Sequence, residues 1–186
     1  MKNLPRVDYL ILHCSATEDG PGDNWSAIRR FHTSYRYEGR SVSVEEARSL
    51  QASGVVVEIP WQDIGYHFGL EREAGVLVTR FGRPVGFQGS HCKAAGRNHD
   101  SLGVCVVGQF DSAKPDPEVF EHTAHLLAML SFVFNVPTER IRGHREFEPG
   151  KTCPGRAWDL DATREAVAVL RATGPQLGRS ELRMTV

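Results

Sequence analysis

The chain has 186 residues, 40 % of them hydrophobic and 24 % charged. That size and balance suit one domain with a sizeable core and exclude the disordered and fibrous classes. A formal net charge of -1 gives no global electrostatic case for nucleic acid or an anionic membrane surface as partner.

In chain order, the N-terminal apolar stretch Tyr9–Leu12 is too short for a signal-peptide core, and no run approaches the roughly 20 apolar residues of a membrane span. The expectation is synthesis in the cytoplasm, no membrane insertion, and release by another factor. Residues 8–15 (DYLILHCS) read as a buried strand ending at His13. Trp25, Ile28, Phe31 and Tyr35 share a helical face, with Asp23 or Asn24 as N-cap. Ser43 and Glu46 have capping-box spacing, so a short helix is expected over 44–53, stopped by Gly54. Strands follow at 64–70 and 75–79 around a polar turn, then a Gly/His/Asn-rich loop and a central strand at 102–107. Asp116-Pro117 opens a helix whose stripe is Leu126, Leu127, Leu130 and Phe134. After an irregular loop at 142–158, a last amphipathic helix spans about 160–172. Loose alternation of strands and helices predicts an α/β domain, a mixed central sheet flanked by helices, over residues 1–174. A short, poorly ordered tail is expected at 175–186. A monomer is expected, since no pattern calls for an obligate assembly.

Two stretches carry chemistry. His13 ends a buried strand, where a single histidine is more often a hydrogen-bonded core residue than a ligand. Its neighbour Cys14 points to the opposite face, because strand side chains alternate. The second stretch, Gly143-His144-Arg145-Glu146-Phe147-Glu148-Pro149-Gly150-Lys151-Thr152-Cys153-Pro154-Gly155, puts a histidine and a cysteine in one loop pinned by Pro and Gly. Imidazole and thiolate are preferred zinc donors, and three protein ligands leave a position for water in catalytic sites. The four cysteines form no CxxC pair, which favours buried thiols or metal ligands over a disulfide framework. His122 and His125 lack the intervening Glu of HExxH and read as helix-surface residues. His67 and Cys105 read as structural.

Together with Leu10–Thr17, Gly65-Tyr66-His67-Phe68, Ser90-His91-Cys92, and Asn98 followed by Ser101-Leu102-Gly103-Val104, these stretches resemble the zinc N-acetylmuramoyl-L-alanine amidases. The resemblance is to the phage lysozyme-type endolysins and the related peptidoglycan recognition proteins, and it runs from about Tyr9 to Leu160. It implies one zinc ion on His13, His144 and Cys153, with Tyr66 and Lys151 as catalytic residues. It implies that His91 lines a substrate groove near the metal, and that the substrate is peptidoglycan. A cysteine at 153 implies an enzyme; relatives that only bind lack it, and cytoplasmic recycling relatives carry aspartate there. The alternatives are a non-catalytic peptidoglycan-binding module on the same fold and a structural zinc domain closed by a fourth ligand. Segment 36–63 is longer than in the small phage enzymes. It is either a surface subelement or a groove wall in which Trp61 contacts substrate. Tyr66 is expected at a strand centre, and Glu146 is expected only to orient its loop or pair with Arg145.

Overall fold

The computed structural model describes residues 1–18, 20 and 22–173; the expected tail at 175–186 lies outside them. Strand β1 (Tyr9–Cys14) is flanked on both edges, by β6 (Ser101–Val106) and by the short β7 (Ile141–Gly143), both parallel to it. With both faces covered as well, its run of Leu10, Ile11 and Leu12 is fully buried. Strand β4 (Phe68–Glu73) joins β6 in parallel, and β5 (Val76–Phe81) closes the sheet antiparallel to β4. The order β5-β4-β6-β1-β7 is the mixed sheet expected.

Helices α3 (Pro117–Val133) and α4 (Leu160–Thr173) cover one face of this sheet. Pro117 stands in the first turn of α3, where its missing N–H costs nothing. The stripe Leu126, Leu127 and Leu130 packs with Leu10, Leu12, Cys14, Val104 and Val106 in the main core. Asp159 caps α4 by accepting from the Ala162 amide at 2.9 Å.

Helix α1 (Trp25–His32) belongs to the other face, where Trp25 packs with Ile64 and Cys105. Asn24 is its N-cap, accepting from the Ala27 amide at 2.9 Å. The helix is shorter than the apolar face implied. Tyr35 lies beyond its end, in a two-stranded hairpin of β2 (Tyr35–Tyr37) and β3 (Arg40–Val42). Arg36, 2 % exposed, turns back and donates to the carbonyls of Phe31 and His32. Those are the carbonyls a helix end leaves without partners. Helix α2 (Val44–Ala52) starts on the expected cap, Ser43 accepting from the Glu46 amide at 3.1 Å. Val42, Ala47 and Val57 form a small separate core under it, so much of 36–63 is a self-packed subelement.

Strand β4 begins at Phe68, not Ile64. Tyr66 therefore lies in the segment entering the sheet and not at a strand centre, which corrects the expectation. The register explains the shift: Phe68 is the first β4 residue paired with β6. Ahead of it, His67 donates its amide to the Gly103 carbonyl and accepts the Gly82 amide.

Candidate metal centre

Strand pairing puts the two outer parts of the centre side by side. In the β1–β7 register Leu12 faces Gly143, so the next residues along each chain are His13 and His144. Their ring centroids are 4.7 Å apart. The loop after His144 then returns Cys153 to the same point. Its return is held by the Arg145 amide donating to the Cys153 carbonyl at 2.8 Å, and by the Arg145 guanidinium donating to the carbonyls of Gly155 and Trp158. Glu146 accepts from the Gly143 amide at 2.7 Å and pairs with Arg142 and Arg164. It orients the loop as expected, but Arg145 is not its partner.

Cys153 Sγ accepts from the Cys14 amide at 3.2 Å and lies 3.5 Å from His13 Nδ1. One donor atom each from His13, His144 and Cys153 lie within 4.8 Å of one another. Zinc bonds of about 2.0–2.1 Å to nitrogen and about 2.3 Å to sulfur, at tetrahedral angles, require an N···S separation of about 3.5 Å. The donors fit that ion in type and spacing. Among the described residues no fourth His, Cys, Asp or Glu joins this group. The Cys14 side chain belongs to the helix-side core, against which Cys153 also packs.

The surroundings favour the forms a metal needs. His13 is 1 % exposed. Burial first, then the neighbouring His91 and His144, holds its pKa well below the ordinary histidine value. It is therefore neutral, with a lone pair to give. Contact with the Cys14 side chain and burial push the Cys153 thiol up; a divalent cation reverses that balance, because it binds the thiolate.

His91 supports His13 from behind. Its Nδ1 lies 3.0 Å from His13 Nε2, and the residue is 7 % exposed. Glycines make the space: a Cβ on Gly89 or Gly103 would meet the His91 ring at 2.2 Å or 2.7 Å. Asn98 fixes the backbone, its carbonyl oxygen accepting from the amides of His91 and Cys92 at 2.9 Å each. His91 is thus buried against His13.

Tyr66 is half-buried, its ring centroid 5.1 Å from that of His13. Burial raises its phenol well above the ordinary value of 10, so the hydroxyl keeps its proton and is a donor. Lys151 is exposed on the loop, two residues before Cys153. Its amide donates to the Glu148 carbonyl at 3.1 Å. Trp61 lies further out. Its ring is 4.5 Å from that of His32, and Arg36 sits 4.6 Å over it. It borders a cavity of about 550 Å³ with Arg83, Gln88, Ser90 and Lys93. None of the three metal-site residues lines that cavity. Ser90, next in the chain to His91, is where the two regions approach.

One residue near the centre, Glu148, escaped the sequence reading. Glu148 Oε1 lies 3.1 Å from His144 Nε2. Cys92, fully buried, reaches a donor group with His144 and Glu148, and burial pushes its thiol up to about 11. The available signal was the four-residue step from His144 to Glu148, which a one-turn loop brings onto one side. The remaining histidines have ordinary partners. His67 Nδ1 accepts from the Gly103 amide at 3.0 Å, and its Nε2 sits 2.9 Å from the Phe87 carbonyl. His122 contacts the Thr79 hydroxyl, and His125 its own helix backbone.

The family defined as N-acetylmuramoyl-L-alanine amidase matches residues 3–156. The chain belongs to that amidase family. Among its relatives is the endolysin of Escherichia phage T7, 30 % identical over 82 % of this chain and 83 % of the phage protein. The endolysin of Enterobacteria phage K11 is 34 % identical over 80 % of each chain. In fold, the amidase resembles the N-acetylmuramoyl-L-alanine amidase LysC from Clostridium intestinale, with a TM-score of 0.59 at 18 % identity, covering 88 % of this chain and 86 % of that one. The family extent takes in every residue of the centre, from His13 to Cys153.

Proposed function

We propose that this amidase uses one zinc ion, held by His13, His144 and Cys153, to hydrolyse the bond between the lactyl group of N-acetylmuramic acid and L-alanine in peptidoglycan. Its setting is that of a phage or prophage endolysin, acting on the wall after release by a separate membrane-permeabilising protein. The observation that carries the reading is the donor set: one nitrogen each of His13 and His144 and the Cys153 thiol within 4.8 Å of one another, His13 Nδ1 and Cys153 Sγ 3.5 Å apart, with no fourth His, Cys, Asp or Glu in the group among the described residues. Membership of the amidase family supports it, as do the phage relatives named endolysins. No helix among the described residues is long and apolar enough to cross a membrane.

Bound zinc supplies Lewis acidity that activates water and polarises an amide carbonyl at neutral pH. The chain's own residues do the rest. His91 holds the ring of His13 by its far nitrogen. Tyr66, protonated at neutral pH, donates a hydrogen bond at the reacting carbonyl's edge of the centre. The Lys151 ammonium provides positive charge for the oxyanion that develops as the amide is attacked. Trp61 offers an aromatic edge to sugar or peptide where its cavity meets Ser90. Glu146 and Glu148 are both engaged with the loop itself, so neither is assigned the proton transfer.

The test is stoichiometric zinc together with lysis of isolated cell wall by the wild type, both abolished in Cys153→Ser. Zinc bound to a protein that binds wall without lysing it overturns the hydrolytic reading in favour of a non-catalytic wall-binding module.

A further inference from the structure

A second group of donors lies against the first. One atom each from Cys92, His144 and Glu148 lie within 4.8 Å of one another. Cys92 is fully buried, and the His144 and Glu148 side chains are only 13 % and 15 % exposed. His144 Nε2 is buried without a hydrogen-bond partner, although Glu148 Oε1 stands 3.1 Å away. A buried nitrogen in that position calls for a partner that the chain itself does not supply. Nitrogen and oxygen ligands at about 2.0–2.2 Å from one tetrahedral zinc stand about 3.4 Å apart, close to the separation of this pair. Imidazole, carboxylate and thiolate are the side-chain donors that zinc takes.

The donors come from two loops held by backbone hydrogen bonds. The amides of Phe147 and Glu148 donate to the His144 carbonyl, at 3.0 and 3.2 Å, a single turn that brings Glu148 back beside the ring. The Cys92 amide donates to Asn98 Oδ1 at 2.9 Å, and the Cys92 carbonyl accepts the Arg97 amide at 3.0 Å. The Ala94 amide donates to Glu148 Oε1 at 3.3 Å and joins the two loops. Cys92 takes no part in the first set, whose thiol is Cys153, but His144 belongs to both. Whichever of its nitrogens serves the first ion, the ring is common to the two sets.

We propose that Cys92, His144 and Glu148 form a second site for a soft divalent cation, filled only when zinc is in excess, and that this ion inhibits the enzyme. The proposal rests on the zinc reading above for the first site. An ion on Cys92 and Glu148 draws on His144, a donor that the first ion needs. The second ion is therefore the weaker of the two and opposes the first. The thiol selects zinc or cadmium over magnesium or calcium, which prefer oxygen ligands.

The experiment counts zinc on the full chain by native mass spectrometry, from one equivalent into excess, in wild type, Cys92→Ala, Glu148→Gln and Cys153→Ser. Cadmium titrations of the same proteins read thiolate-to-metal absorption. Wild type is expected to hold one zinc against a competing chelator and a second only in excess, with wall lysis falling as the second fills. Cys92→Ala keeps the first zinc, loses the second, and lyses wall as well in excess zinc as at one equivalent. Glu148→Gln also loses the second ion, which keeps the test open should Cys92→Ala fail to fold. Cys153→Ser loses the chelator-resistant zinc, while excess cadmium still gives a thiolate absorption that disappears when Cys92→Ala is added. A single zinc in wild type at every excess, or a second that survives Cys92→Ala, overturns the second site and leaves the first standing. Loss of lysis in excess zinc that persists in Cys92→Ala overturns the inhibition. A tight zinc lost in Cys92→Ala but kept in Cys153→Ser overturns the zinc reading and this proposal with it, as does wild type that takes up none.

Discussion

The central strands carry different chemistry on their two faces. Along β1, Leu10, Leu12 and Cys14 enter the core under α3 and α4, while Ile11 and His13 alternate to the other side. Along β6, Leu102, Val104 and Val106 join the same core, whereas Gly103 backs His91 and Cys105 packs with Trp25 and Ile64. The helix-side face is an uninterrupted apolar layer. The opposite face buries histidines with polar partners: His13 with His91, His67 with the backbone of Gly103 and Phe87. Neutral buried imidazoles are costly to fold around but ready to bind metal. The layer behind them supplies the stability that makes this affordable, so stability and chemistry should respond to different substitutions.

The largest effect expected is on the site face. Cys153→Ser should lose zinc and drop wall lysis to background, while its zinc-free urea midpoint stays near that of zinc-free wild type; unfolding of the variant would break the separation of the two faces. Tyr66→Phe comes next. It should keep stoichiometric zinc and lose roughly 10²- to 10³-fold in turnover, the usual range for loss of one hydrogen-bond donor to a developing oxyanion. Wild-type turnover in that variant removes Tyr66 from the chemistry.

On the helix-side face the pattern should invert. Leu127, fully buried in the main core, should cost about 2–5 kcal/mol of stability when cut to Ala, with activity per folded molecule unchanged. Denaturant titration paired with a lysis assay checks both halves. A large turnover loss without a stability loss would contradict the comparison.

A stability effect of similar size, spread over the titration of two histidines, comes from pH. Burial holds His67 at about 4, and burial followed by Arg36 and Arg83 holds His32 at about 4, against 6.5 in the unfolded chain. Between those values the unfolded chain takes up protons that the folded one refuses, so the stability is present above pH 6.5 and lost as pH falls toward 4. For His67 alone the loss is on the order of 3 kcal/mol. Urea midpoints of zinc-free protein should fall steadily from pH 7 to 4.5, and a flat profile would show that the site face does not carry this load.

Much of this was legible in the sequence wherever one local rule acted alone. The apolar run of β1, the Ser43 cap of α2 and the Pro117 start of α3 all read directly. The β2–β3 hairpin was not legible. Its strands are three residues each, and its turn, Glu38-Gly39 with both φ positive, lacks the Asn-Gly or Asp-Gly signature. Tyr35 consequently read as a fourth residue on the face of α1. Tyr66 was misplaced by a few residues because β-pairing, and not its own apolar neighbours, sets where β4 begins. In the site, residue types pointed to the metal set, but the second layer depends on contacts across the chain. The place that Gly89 and Gly103 leave for His91 behind His13 is one such contact. Glu148 was passed over for Glu146, since only the loop's turn decides which carboxylate meets His144.

The most direct measurement of the central claim is mass spectrometry of the products released from purified peptidoglycan by the zinc-loaded protein. The account predicts stem peptides with a free L-alanine amino terminus and glycan strands with intact lactyl carboxylates, and none of either with Cys153→Ser. Cleavage within the glycan or the stem peptide, or no new L-alanine termini despite bound zinc, would contradict it.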